Sequence, residues 1–170
     1  MSEAGSISSF HIGVAAEAIA AAQFARLGYD VSVQYGANQP EYDLVVVRGD
    51  RLLKVSVKGS QKGAWGLTQS LKKGRSYHEA ADEWLKRHKV GTIFCLVQFK
   101  GVPLDRMPRV YVATPSEIAQ RLKDTRGGHG ETILYEDHTW VRGVAKGLSD
   151  RLPEAWRLSH DQMAELFRIA

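Results

Sequence analysis

The segment that most constrains the fold runs from Tyr42 to Lys58, two apolar-rich stretches meeting at Gly49-Asp50. A Gly-Asp pair between β-forming residues reads as the two-residue loop of a tight hairpin. With that loop, Tyr42 opposes Val57, Leu44 opposes Val55 and Val46 opposes Leu53, so that three apolar pairs share one face. On the other face Val47 meets Leu52, Val45 meets Lys54, Asp43 meets Ser56 and Glu41 meets Lys58. A slip of one residue would mix the two faces, so this register is favoured. Opposed Cβ atoms lie roughly 4.5–5.5 Å apart, and Asp43, Ser56 and Lys58 are therefore expected to form one polar cluster at the open end of the hairpin.

Around this hairpin the chain reads as alternating helices and strands. Ser8 or Ser9 can cap a first helix that runs to about Leu27 and stops at Gly28. Its many alanines suit close approach to a sheet. Val31, Val33 and Tyr35 alternate with polar residues as in a strand, and residues 36–40 form a loop. Ser76 with Glu79 makes a capping box for a helix to about His88. Val90–Phe99 reads as a buried strand and Arg109–Ala113 as a shorter one. Thr114, Pro115 and Glu117 start a helix to about Leu122, and Ser159 with Gln162 starts a last amphipathic one. The order predicts an α/β fold with a mixed sheet flanked by helices. The expected organisation is a flexible start over residues 1–8, a core over 9–123, and an extension over 124–170 that packs on the core.

Charge adds a partner. From Arg51 to Arg75 the chain carries seven basic residues and no acid. With a net charge of +4 overall, the remainder is therefore −3. Such a run is either a solvated face or a surface for a polyanion, and its neighbours decide which. No apolar run approaches the ~18 residues of a membrane span, and the start has no basic and apolar leader. The one cysteine, Cys95, lies within an apolar run and reads as a buried hydrophobe. A chain without a disulfide suits a reducing compartment, which points to the cytoplasm. Nothing in the chain matches a nucleophile elbow, a phosphate-binding P-loop, a dinucleotide fingerprint or a Cys/His zinc spacing.

The cluster of Asp43, Ser56 and Lys58 has chemistry to offer beside a polyanion. Hydrolysis of a phosphodiester needs a cation, an activated water and relief of developing negative charge. A carboxylate can hold Mg²⁺, the metal lowers the pKa of its water, and an ammonium stabilises charge. The hairpin by itself also reads as a surface ion pair on an exposed strand face.

The ordered set Gly13-Val-Ala-Ala-Glu17, Gly28-Tyr-Asp-Val31, Glu41-Tyr-Asp43 and Val55-Ser-Val-Lys58 resembles the PD-(D/E)XK, or restriction-endonuclease-like, nuclease superfamily. It looks most like the group I intron homing-endonuclease and Holliday-junction-resolvase branches, over about residues 8–100. The resemblance implies a metal-dependent DNA endonuclease using Mg²⁺ or Mn²⁺. It makes Asp43 a metal ligand, Glu17 the first-helix acid reaching the metal, and Lys58 the group that assists the attacking water. Val57 would lend its backbone carbonyl to the metal. Ser56 departs from the pattern, because it stands where the superfamily has its second acid. The homing-endonuclease branch also tolerates a neutral polar residue there. Glu41 is either a stand-in for the missing acid or a rim charge paired with Lys58, and Glu17 is otherwise an exposed helix acid. The departure keeps a second reading open, a weakened or inactive DNA-binding module on a nuclease fold.

Within the acid-free run, Lys62, Lys72, Lys73 and Arg75 are candidates for positioning phosphate. Gln61 reads as a phosphate or sugar contact, or as a plain loop residue. Trp65, between glycines, either stacks on a base or folds onto the core. Glu136-Asp-His138 has ligand-type side chains, but adjacent residues rarely converge on one metal. Cutting both strands with a chain of this size needs two active sites, which points to a homodimer.

Overall fold

The computed structural model describes residues 7–34 and 41–170. Most of the expected flexible start and loop, residues 1–6 and 35–40, lies outside them. Ser8 caps α1 (Ser9–Arg26), accepting the His11 N–H while the His11 ring accepts the Ser8 N–H. After the helix, Gly28 adopts a φ of 87°, which an L side chain would resist. There follow β1 (Asp30–Val33), β2 (Leu44–Arg48), β3 (Arg51–Ser60) and a short β4 (Ala64–Gly66). A 3-10 turn at Gln69–Leu71 leads into α2 (Tyr77–Lys86), capped by the expected Ser76–Glu79 box. Then come β5 (Thr92–Gln98), β6 (Arg109–Ala113) and α3 (Pro115–Asp124), which also carries its expected cap. The remainder forms β7 (Ile133–Tyr135), β8 (Asp137–Thr139), β9 (Ser149–Arg151), a 3-10 turn at Glu154–Trp156 and α4 (His160–Ile169).

The main sheet has the order β1-β2-β3-β5-β6, antiparallel except for the parallel β3–β5 pair. It is therefore the mixed sheet that the element order predicts. The crossover from β3 to β5 carries β4 and α2 to one face of the sheet. On the other face, α1 and α4 bury Leu44, Val46, Leu53, Val55, Ile93, Cys95 and Val112. Against the crossover face, α2 and α3 bury Trp84, Phe94, Leu96, Ile118 and Leu122. With both faces covered, all seven residues of β5 are buried. Residues after α3 feed both layers: Leu134 and Trp156 join one core, and Met163 and Leu166 the other. Among the described residues, no helix is long and apolar enough to cross a membrane.

The hairpin register is as the alternation predicts from Leu44↔Val55 to Arg48↔Arg51, with Gly49 at a φ of 62° in the turn. Leu44, Val46, Leu53 and Val55 are all buried, each contributing about 1.5–3 kcal/mol of burial. The ladder then ends earlier than expected. The Asp43 N–H donates to the Val55 carbonyl at 2.8 Å, so that Asp43 and Leu44 both oppose Val55 in a bulge. The expected pairing of Asp43 with Ser56 is lost, and alternation shifts by one. Tyr42 thus lies beside Lys54, whose ammonium is 5.4 Å from its ring centroid, instead of opposing Val57. Three-residue strands such as β4, β7, β8 and β9 show no periodicity in sequence, being too short for alternation to register.

Candidate active site

The site is assembled at the end of the hairpin where β2 begins. Asp43 does there with its side chain what the ladder no longer does with its backbone. Its Oδ2 accepts the Val57 N–H at 2.7 Å, which holds the carboxylate against β3. Charge-assisted bonds of this kind are the stronger sort.

Gly59, just beyond Lys58, brings α1 onto the same strand. A Cβ at Gly59 would lie 2.8 Å from Ala16 Cβ, Ile12 Cγ2 and the Ile12 carbonyl oxygen. Only glycine permits that approach, and Ala16 itself is fully buried. The next residue of the helix is Glu17. Burial raises its pKa above the ordinary carboxylate range, the Asp43 charge raises it further, and Lys58 opposes both. The charges of Asp43, just before β2, and of Lys58 on β3 thus both act on Glu17 of α1. Lys58 itself is exposed, while Ser56 is 3% exposed and pairs with Phe94 of β5 on the face covered by α2.

Glu41 is exposed, and its charge acts on His88, whereas the charges acting on Glu17 are Asp43 and Lys58. His88 was not singled out in the sequence. Its ring lies 4.4 Å from that of Trp84 and 5.0 Å from that of Phe94, and neither ring nitrogen has a hydrogen-bond partner. Burial lowers its pKa, as does Lys58, against the opposing pull of Glu41. Only the parallel β3–β5 pairing brings the end of α2 toward the site, so no local signal announces it. Among the described residues, no three His, Cys, Asp or Glu side chains converge as a metal cluster.

The basic run divides. Ser60 accepts the N–H groups of Lys62 and Ala64 at 3.2 and 3.3 Å, and the fully buried Gln98 accepts those of Gly63 and Lys100 at 3.3 and 3.0 Å. These two side chains shape the loop that carries half-buried Gln61 and exposed Lys62 next to Lys58. Lys73 and Arg75 are exposed, Arg75 with one guanidinium nitrogen donating to the Leu71 carbonyl at 3.2 Å. Lys72 is turned back, donating to the Arg75 carbonyl at 2.8 Å with its ammonium 4.6 Å from the Tyr77 ring centroid. Trp65 belongs to the core. It is 3% exposed, and its indole N–H donates to the Lys58 carbonyl at 3.0 Å, so it presents no face on which a base could stack.

Glu136, Asp137 and His138 go separate ways. Glu136 accepts from Arg109 and Tyr111, Asp137 pairs with Arg151, and His138 stacks on Tyr135. The Glu136 carboxyl is held below the ordinary range by those donors, against the opposing effect of its burial.

Comparison with known proteins gives this geometry a family. No curated protein matches the chain. In overall structure it is similar to the bacterial homing endonuclease I-Ssp6803I, at 17% identity and a TM-score of 0.49, over 95% of this chain and 93% of that one. The family model described as PD-(D/E)XK endonuclease matches residues 7–138. That span takes in α1, the whole hairpin, the basic run and β5, and the chain belongs to the PD-(D/E)XK endonuclease family.

Proposed function

We propose that the chain is a divalent-metal-dependent endonuclease that hydrolyses DNA phosphodiesters, with Mg²⁺ or Mn²⁺ as its cofactor. The observation that carries the reading is the fixed Asp43 carboxylate, bonded to the Val57 N–H at 2.7 Å while its charge acts on Glu17.

The donor set fits a hard cation. Burial first, and then the neighbouring Asp43 charge, raise the pKa of Glu17, and a cation held between the two carboxylates would offset both effects. In an extended strand the N–H and C=O of one residue point to the same edge, so the Val57 carbonyl turns to the Asp43 side as a third oxygen. Mg²⁺ is commonly bound through one or two carboxylates, with water and substrate phosphate filling the remaining positions. When bound, the cation supplies a water of lowered pKa and offsets phosphate charge. Asp43 and Glu17 would hold it, and the exposed Lys58 ammonium would orient the water or stabilise charge on the phosphate. Lys62, Lys73 and Arg75 would place the backbone. Two copies of the chain would be needed to cut both strands.

Ser56 favours a second reading, a DNA-binding module with little or no cleavage, because it removes one negative charge from the site. A cleavage assay on linear, nicked, branched and supercoiled DNA with Mg²⁺ or Mn²⁺ separates the two. Wild type should cut while Asp43→Asn and Lys58→Met bind DNA without cutting. DNA binding without cleavage in wild type would select the binding module instead.

A further inference from the structure

The turn between β8 and β9 sits outside the proposed active site and presents an unusual surface. Residues 139–148 contain Arg142 and Lys146 and no acid. Val141 is 73% exposed and Val144 70%, side chains that a free-standing turn would ordinarily not display together. The turn is also internally braced. The Trp140 N–H donates to the Leu148 carbonyl at 2.9 Å, and the Gly147 N–H returns to the Trp140 carbonyl at 2.7 Å. Lys146 N–H to Gly143 O and Leu148 N–H to Ala145 O close it further, and Ala145 is buried beneath. The exposed valines therefore stand on a shaped support.

Its base joins the basic run. The Trp140 indole N–H donates to Asp150 at 2.5 Å, and the Arg126 guanidinium lies 5.2 Å from the Trp140 ring centroid and 5.6 Å from that of Tyr77. Tyr77 in turn carries the Lys72 ammonium. The contacts of Lys72, Tyr77, Arg126 and Trp140 thus link the acid-free run to the β8–β9 turn, with Arg126 also paired to Glu131 at 3.7 Å.

We infer that the β8–β9 turn is a second DNA contact, its valines entering a groove while Arg142 and Lys146 meet the flanking phosphates. The inference rests on the DNA reading proposed above. Charge selects the occupant: an apolar tip flanked by two cations and no acid suits a groove between phosphate ridges, into which proteins insert apolar wedges. Continuity with the basic run gives it the same ligand.

The test uses the full chain and duplex DNA in metal-free buffer, with affinity followed by fluorescence anisotropy across a salt series. Val141→Ser with Val144→Ser should weaken binding about tenfold and leave the salt slope unchanged. Arg142→Ala with Lys146→Ala should flatten the slope of log affinity against log salt by about 2. All four positions are exposed, and matching thermal melts confirm that the variants fold. Wild-type affinity and slope in both double variants would overturn the inference and leave the nuclease reading untouched. A valine variant that sediments as a smaller species, with DNA affinity unchanged, would overturn it in favour of a contact between copies. Absence of DNA binding in the wild type would instead defeat the function on which the inference rests.

Discussion

The Asp43 carboxylate accepts the backbone N–H of Val57 at 2.7 Å, fourteen residues along the chain, at the point where the β2–β3 ladder has already stopped. One side chain therefore ends the hairpin and occupies the proposed metal site. The two roles separate by mutation. Asp43→Asn keeps an acceptor for Val57 and removes the charge, so cleavage should vanish with little change in melting temperature. Asp43→Ala also strands the Val57 N–H, and should cost about 1–3 kcal/mol in denaturant unfolding. Equal stability of the two variants would mean that the bond contributes nothing.

Glu17 predicts a pH dependence. Its pKa is raised in the folded chain by burial and by Asp43, so the protonated form is the one that folding favours. The stabilisation is complete below the ordinary carboxylate pKa and is lost as pH rises through the raised value. Metal-free wild type should therefore lose stability relative to Glu17→Gln across the window just above the ordinary carboxylate range. Melting curves of both proteins from acid to neutral pH check this. Parallel curves would show that neither burial nor Asp43 raises the Glu17 pKa.

Phosphate contacts should follow the division within the basic run. Replacing Lys62, Lys73 and Arg75 together by alanine should flatten the salt dependence of DNA binding by about 2–3 in log–log slope. Lys72→Ala alone should change the slope little, because that ammonium is already held by the Arg75 carbonyl and Tyr77. A larger effect from Lys72 than from the triple variant would reverse this assignment.

How much of this was legible in the sequence depends on the range of the interaction involved. The register from Leu44↔Val55 to Arg48↔Arg51 follows from apolar pairing around a Gly-Asp turn, and the caps of α2 and α3 from residues three apart. The bulge at Asp43 does not follow, because alternation carries no information about a side chain that takes over a ladder bond. The approach of Glu17 depends on Gly59 meeting Ala16 and Ile12 across the core, and that of His88 on a parallel crossover. Trp65 shows the same limit. Glycines on either side and lysines nearby leave stacking on a base and folding onto the core both open, and the bond from its indole N–H to the Lys58 carbonyl decides for the core.

Ser56 gives the last prediction, which bears on the metal site without relying on cleavage. The residue is 3% exposed and sits beside Phe94, so a glutamate there must bury a carboxylate in a packed setting. Without metal, Ser56→Glu should be less stable than wild type by about 1–3 kcal/mol, from crowding and from the unpaired charge. If Asp43 and Glu17 hold a cation, the added oxygen gives the variant the tighter site. Its melting temperature should then climb steeply as Mn²⁺ is added, by about 5–10 °C at a hundredfold excess over the dissociation constant. Wild type should show the same rise only at higher Mn²⁺, having one charged ligand fewer. A melting temperature indifferent to Mn²⁺ and Mg²⁺ in both proteins would rule out the metal site, and with it the hydrolytic mechanism.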